Sequence, residues 1–551
     1  MRVSTILILF LLFLGVGGSV GFYFYMNQEE KESFETASDV GRIKGEINVA
    51  GDNYIMYWPI ADSPVFKNNL RQEGYIHHWT DDGANYQERH AKFARGEYDI
   101  MVLPVTEYVF HGKDHNYPGV VAAGLSESAG ADAVVAYRDA ILGSDTRDPQ
   151  VNDLNNANLK ICVTLGSPSE RLIDIGITDF DLDKLKGTNS WVVPSNGSHD
   201  ALERFEKREC NVAVLWEPDV SKALQKPGVV EVFSSEKFEE YIIDVFVALR
   251  SVVTGDTDKV MAFFRAYFKT QQYYLDNPEE MLDHMEAAYK GMDDSPFKSR
   301  EEIKKALDRA VWFDLEDNCL DWFSVDMPGV TYQQRREKMA ETVVRVTGLM
   351  MKSGDLASDP IQGNPYRVTS RIADTSRGES LDFLTRLCRE MLETTTAIDS
   401  SSLAEKQFAS LTDEEWSKLP AVGKLTIIPI EFRSGTSQMT DTGKRSIDTD
   451  AVYALRNNYR QHRLLIKGHT AYSVTDRDIG RCRDASENIL LAQMRADETK
   501  SYFASVHKFD PNRIRAIGVG SCERLERYPG EGELSYKSRL SRVEFILIED
   551  K

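Results

Sequence analysis

From Ser4 to Met26 the chain reads "STILILFLLFLGVGGSVGFYFYM", with no charged residue. At about 1.5 Å rise per residue, a helix of this length can cross a hydrocarbon core of about 30 Å. Arg2 precedes it and the acidic "NQEEKESFE" follows it. The positive-inside rule therefore places a very short amino terminus in the cytoplasm and the rest outside. Phe22, Tyr23, Phe24 and Tyr25 would form an interfacial aromatic collar. Two readings stand. A cleaved signal peptide would use the small residues Gly17, Gly18, Ser19 and Gly21. A single-pass anchor over 4–26, followed by a polar tether over 27–43, is favoured because the apolar run continues past those residues. Both readings export everything that follows. The span contains no Asp or Glu, which argues against an ion-driven stator, where a membrane carboxylate would carry the proton.

Charge is unevenly spread along the chain. Residues 421–551 hold 22 Lys and Arg against 18 Asp and Glu, a net of +4; the remainder holds 44 against 69, a net of −25. That asymmetry points to two modules with different partners. No concentrated basic face interleaved with aromatics stands out, so no nucleic-acid partner is expected. Six cysteines occur, with no CxxC and no His-Cys cluster at metal spacing, so no structural zinc, other metal or cofactor is expected. In an exported chain disulfides are the natural use of cysteine. Pairing within modules would join Cys162 to Cys210 and Cys482 to Cys522, with free buried thiols as the alternative.

From Gly45 to about residue 355, short apolar runs alternate with amphipathic stretches: "EINVAG", "YDIMVLP", "VVAAGLS", "DAVVAYR", "LKICVTLG" and "NVAVLW" as strands, "YQERHAKFARG" as a helix. The pattern predicts an α/β fold with largely parallel strands. Later, "DKVMAFFRAYFKTQQYYL" and "REEIKKALDRAVWF" are predicted helices, the second opened by a Ser299–Glu302 capping box. Residues 356–420 form a mixed, helical linker, with a helix at "ESLDFLTRLCREMLETT" and a capping box from Thr412 to Glu415.

The 44–355 block, through "EYDIMVLP", "LSESAGADAVVAY", "LKICVTLGSPSERLIDIGI" and "SNGSHDALERFEKRECNVAVLWEP", resembles the periplasmic solute-binding proteins of nitrate, sulfonate and taurine uptake. The resemblance implies two α/β lobes joined by crossing strands, with a small solute in the cleft between them. Ligands of open α/β sheets sit beyond the carboxyl ends of strands. The candidate contacts there are Asn53, Tyr54, Asn85, Thr106, Ser126, Ser128, Ser167, Ser169, Asn196 and Trp216. In "GSPSE", Ser167 as cap, Pro168 at the first helical position and Glu170 make a capping box. The same helix end could instead hold an anion. Acidic residues dominate the other strand-end loops, favouring a zwitterionic or cationic solute over an anion; a run of solvated acids is the alternative.

From Leu425 onward, "LTIIPIEFRSGTSQMTDTG", "LLIKGHT", "NILLAQMRADETKSYF", "IRAIGVGS" and "SRVEFILIE" resemble, in order, the carboxyl-terminal domain of outer membrane protein A. This resemblance covers 421–551 and implies an α/β sandwich, a sheet with two covering helices, and a groove for the diaminopimelate of peptidoglycan. In that groove an aspartate after His-Thr meets the ligand's ammonium, and a helix arginine meets its carboxylate. Arg495 stands at the arginine position, with Asn488 in the same helix motif and Thr470 and Arg542 at flanking positions. Ala471 stands at the aspartate position. Asp476, Asp478 or Asp484 of the long stretch after it could substitute, and Arg539 could replace the arginine missing from "RLSRVE". The alternative use of Arg495 is a pair with a nearby acid.

These resemblances together describe a non-enzymatic protein of a bacterial inner membrane, its bulk in the periplasm, which binds a solute and grips the wall. An ABC permease or an envelope complex is the expected membrane partner. A ligand-less scaffold between membrane and wall is the alternative. An enzyme on the solute-binding fold is disfavoured: His77-His78 is the sole His pair, and no nucleophile-base set can be assembled around it.

Overall fold

A computed structural model describes residues 43–550, apart from gaps of one to three residues and longer stretches at 328–335, 370–382, 393–407 and 472–485. The expected anchor and nearly all of the tether lie outside the described residues. Among those described, no helix is long and apolar enough to cross a membrane.

The strands before residue 356 are β1 (Gly45–Gly51), β2 (Tyr75–Asp81), β3 (Ile100–Pro104), β4 (Gly119–Ser128), β5 (Asp132–Tyr137), β6 (Ile161–Thr164), β7 (Val192–Ser195), β8 (Val212–Trp216), β9 (Val229–Ser234), β10 (Ile243–Leu249) and β11 (Ala310–Trp312). They form two sheets, ordered β11-β4-β10-β3-β1-β2 and β7-β6-β8-β5-β9. Every residue of β3, β5, β8 and β10 is buried, which is why these strands read as unbroken apolar runs rather than alternating ones. The chain passes from the first sheet to the second between β4 and β5 and returns between β9 and β10. This is the two-lobed, periplasmic-binding-protein-like arrangement that the resemblance implies.

The expectation of largely parallel strands holds only away from the crossings. β1 runs parallel to β2 and β3, and β6 to β7 and β8. β10 is antiparallel to β3 and β4, and β5 to β8 and β9. A chain that leaves one sheet and later re-enters it beside its exit strand has to run the other way.

The helices that matter for the site are α1 (Tyr86–Ala94), α2 (Val105–Gly112), α3 (Pro168–Asp179), α4 (Gly197–Glu206), α5 (Thr257–Asp276), α6 (Lys338–Ser353), α7 (Phe383–Leu392) and α8 (Ser486–Ser505). α6 packs against both α2 and α3 and so braces the two lobes. The helix expected to run from Arg300 through "RAVWF" ends at Leu307; Ala310–Trp312 is instead an edge strand paired with Ser126–Ser128 of β4. Val311 and Trp312 are strand formers, and that sheet edge offered free ladder positions. Ser299 caps its helix through the Glu302 N–H, while Glu302 reaches Lys298 N–H; the Thr412–Glu415 box closes reciprocally. α7, within the expected linker, is bound to the first block: Phe383 stacks on Phe264 at 5.7 Å, and Arg265 meets Glu390 at 3.1 Å. The Cys319–Cys388 disulfide ties the same segment down and was not anticipated. Cys162–Cys210 forms within the second lobe, as expected. Cys522 is disulfide-bonded, and Cys482 lies outside the described residues.

A third sheet, ordered β12-β15-β13-β14, consists of β12 (Ala421–Leu425), β13 (Arg463–His469), β14 (Ile514–Gly520) and β15 (Val543–Ile548). α8 lies directly on β13 and β14 because glycine stands at both contact points. A Cβ on Gly468 would sit 2.0 Å from Ala492 O, and one on Gly518 2.4 Å from Gln493 N. This module docks on the second lobe. Thr426 N–H donates to Asp179 O at 2.6 Å, Lys424 N–H to Asn152 Oδ1 at 2.7 Å, and Tyr459 Oη–H to Asp179 Oδ2 at 2.9 Å. Phe180 packs edge-on against Tyr459 at 6.3 Å.

Candidate functional site

Between the two lobes lies a cavity lined by Asp52, Tyr54, Tyr57, Tyr86, Asp132, Trp216 and Asp244, with Pro104, Pro168 and Ile242 completing the wall. Asp52 and Tyr54 follow β1, Tyr57 comes soon after them, and Tyr86 opens α1. Asp132 begins β5, Asp244 stands second in β10, and Trp216 ends β8. The cavity is narrow, with about 20 Å³ open to the centre of a water molecule, room for about one or two waters.

Its carboxylates are handled unequally. Asp52 meets Arg89 at 3.0 Å, and Arg89 also holds Asp82 and Val102 O. Asp132 accepts from Ser128 Oγ at 2.7 Å, and Asp244 accepts from Tyr57 Oη at 2.5 Å and Ser126 Oγ at 3.3 Å. Neither Asp132 nor Asp244 has a cationic partner in hydrogen-bond or ion-pair contact among the described residues, although they are only 4% and 2% exposed. Burial pushes the Asp132 carboxyl up to about 7, aided by Glu217 and Asp52, and pushes Asp244 well above its ordinary value. Glu217, fully buried behind them, bonds Ser221 and meets Arg309 at 3.5 Å; Arg309 in turn holds Glu231. The hydroxyl of Tyr54, a residue 7% exposed, has only the Ser128 hydroxyl as a hydrogen-bonding neighbour.

Of the residues singled out in the sequence, Tyr54 and Trp216 line the cavity, and Ser126 and Ser128 hold its two unpaired carboxylates. Thr106 and Ser169 follow the lining residues Pro104 and Pro168; both are buried, with hydroxyls that make no hydrogen bond. Asn53 and Asn196 are exposed, and Asn85 is exposed and caps α1 by accepting the Glu88 N–H. Ser167 is buried but donates back to Thr164 O rather than capping α3, while Glu170 accepts from Gly166 N–H. The positive end of that helix is thus met by the chain's own carboxylate. The alternative of a run of solvated acids does not hold at Asp52, Glu107 and Glu217, which are buried. Asp132, Asp244, Tyr57 and Tyr86 were missed. The candidates from sequence stand in loops after strands, whereas the crossing strands β5 and β10 start at the cleft and present their amino ends to it.

A second constellation gathers at the carboxyl end of β13. His469 N–H donates to Arg542 O at 2.8 Å and Thr470 N–H to Gly520 O at 2.9 Å, so Thr470 lies beside the start of β15. Arg495, 6% exposed, reaches this point from α8: Nε donates to Thr436 O at 3.0 Å, Nη1 to Ser541 Oγ at 3.3 Å, and the guanidinium lies 5.1 Å from the Phe432 ring. Burial depresses its pKa, and among the described residues no carboxylate pairs with it, so the alternative of a structural ion pair is not met there. Thr470 is buried with a hydroxyl that makes no hydrogen bond. Asn488 is half-buried on α8, two turns before Arg495. Arg542 is committed elsewhere, to Glu544 at 2.7 Å and to Leu540 O and Glu523 O. Arg539 is engaged elsewhere, in a two-point contact with Glu531 at 2.7 Å. Ala471 is half-buried; Asp476, Asp478 and Asp484 lie outside the described residues. His469, Glu523 and Glu544 come together at metal-like spacing, but Lys467 holds Glu523 at 3.1 Å and Arg542 holds Glu544.

Residues 431–535, which include β13, β14 and α8, match the OmpA family. No curated protein matches the chain. Among solved structures, the chain is similar to the periplasmic aliphatic sulphonate binding protein SsuA of Escherichia coli. The two are 13% identical over 59% of this chain and 98% of that one, with a TM-score of 0.43. It is similar also to the ligand-binding component of an ABC-type import system of Staphylococcus aureus, at 10% identity over 58% and 96% of the two chains and a TM-score of 0.42. A third is a Candida albicans gene product described as having the generic periplasmic binding protein fold, at 12% identity over 61% and 100%, TM-score 0.42.

Proposed function

We propose that the chain is an envelope receptor: a two-lobed module that takes a small solute into its cleft, joined to an OmpA-family module that holds peptidoglycan. In this reading residues 4–26 anchor it in a bacterial inner membrane, residues 27–43 are the tether, and the bulk stands in the periplasm. Its membrane partner is a permease or an envelope complex. The reading is one of binding, not catalysis. The observation that carries it is the cavity walled by both lobes, with two buried carboxylates left for something other than the protein. Arg495 supports the wall half, since a buried guanidinium with no carboxylate partner among the described residues suits a ligand that brings one.

Thermal scans of the full chain against amino acids, polyamines, sulfonates and oxyanions test the receptor half. A ligand at a hundredfold excess over its dissociation constant stabilises by about 2.7 kcal/mol. A shift from any class supports the reading. One observation favours the scaffold alternative, the narrowness of the cavity, and no shift from any class would support it.

A further inference from the structure

We propose that the cleft takes a compact organic cation, its ammonium between Asp132 and Asp244 and its carbon atoms against Tyr54, Tyr57, Tyr86 and Trp216. The proposal rests on the receptor reading above and specifies its ligand class. Three lining residues are carboxylates, and among the described residues no lysine, arginine or histidine lines the cavity. Asp52 is compensated by Arg89; Asp132 and Asp244 have only hydroxyls, from Ser128, Tyr57 and Ser126. Buried carboxylates need a counter-charge, and a ligand ammonium supplies one. The Tyr54 hydroxyl, buried with only the Ser128 hydroxyl as a hydrogen-bonding neighbour, lies in the field of Asp244, Asp132 and Glu217. It is a third polar group suited to an ammonium, accepting through its oxygen. Four aromatic side chains line the same cavity, and ring faces attract cations, more strongly where water is excluded. An anion would meet three carboxylates and no cation on the wall. The small free volume selects a slim head group or requires the lobes to part.

The pH dependence follows from the groups around Asp132. Glu217, Asp52, Asp244 and Tyr54 face it as acids, with Arg309 the nearby base. With its carboxyl titrating at about 7, Asp132 of the empty site is mostly protonated at pH 6 and mostly ionised at pH 8. A cation that binds the ionised form binds about tenfold more weakly at pH 6 than at pH 8.

Isothermal titration of the full chain with ethylammonium, ethanolamine and choline, set against ethanesulfonate and nitrate, tests the proposal. At least one cation should bind at pH 8, about tenfold more weakly at pH 6, and neither anion should bind. Asp132→Asn and Asp244→Asn should each weaken that cation at least tenfold, and the empty variants should melt no lower than the wild type. Preferential binding of an anion, or cation binding unchanged in both variants, would overturn the ligand class while leaving the receptor reading in place. Failure of every probe would also overturn the class. Native mass spectrometry of the purified chain would then decide the receptor reading: a retained small-molecule adduct keeps it, and a bare chain removes it.

Discussion

Ala471 and Arg495 are two halves of one recognition problem. In the groove that the OmpA resemblance implies, an aspartate meets an ammonium and an arginine meets a carboxylate; this chain keeps the arginine and replaces the aspartate. The loss of one charged contact typically costs about 1.5–3 kcal/mol. Ala471→Asp should therefore strengthen binding to purified peptidoglycan about tenfold to a hundredfold, read in a sedimentation isotherm. An unchanged isotherm would mean that an acid of 472–485 already serves that place. Asp132 makes a separate prediction on stability. Its carboxyl is raised from an ordinary 3.8 to about 7 by burial. Its contribution to stability is thus present below the ordinary value and is lost as pH rises through about 7. Asp132→Asn should raise the melting temperature of the empty protein by a few degrees at pH 8 and leave it nearly unchanged at pH 4. At this scale the sequence was partly legible. Tyr54, Trp216 and Arg495 were picked out because strand ends and a contiguous helix motif mark them. Asp132 and Asp244 were not, because only the folded chain shows which end of a crossing strand faces the cleft.

Among the elements, the buried strands were the most readable, since a strand covered on both faces has to be apolar throughout. β11 was not, because "RAVWF" continues a good helical pattern and only the free edge of β4 turns it into a strand. α3 and α2 carry the contact between lobes that no pattern announced. Arg171, 1% exposed, meets Asp355 at 2.9 Å, Asp174 at 3.5 Å and, across the lobes, Glu107 at 3.6 Å. Removing this guanidinium strands the buried Glu107 and the half-buried Asp174 and Asp355, so Arg171→Met should destabilise by about 3–5 kcal/mol, measured by urea unfolding. A loss below about 1 kcal/mol would show that the acids simply take up protons. In the third sheet, Gly468→Ala forces a methyl against the Ala492 carbonyl and lifts α8. It should cost about 1–3 kcal/mol and weaken wall binding with it, because Arg495 lies three residues beyond the contact.

Over the whole molecule, the acidic two-lobed module and the mildly basic OmpA-family module are in contact rather than strung apart. Their junction is built on Asp179, whose carbonyl and carboxylate take Thr426 N–H and the Tyr459 hydroxyl, and on Phe180, which leaves no room for a side chain at Gly423. Phe180→Ala should speed hydrogen exchange at Lys424 and Thr426 and leave β3 and β10 unaffected; equal protection in both proteins would show that the junction does not depend on that ring. The division into modules was readable because each keeps its own order of strands and motifs, whereas the junction uses residues that belong to no motif. The central claim is that a solute receptor and a wall-holding module share this one chain, and the wall half is open to a single measurement. Full-length wild type, Arg495→Gln and Arg495→Glu are sedimented with purified peptidoglycan in one assay, with melting curves to confirm that each is folded. The account predicts that the wild type pellets, that Arg495→Gln pellets weakly, and that Arg495→Glu, which sets a carboxylate against a carboxylate, stays in solution. Equal pelleting by all three, or none by the wild type, would contradict it.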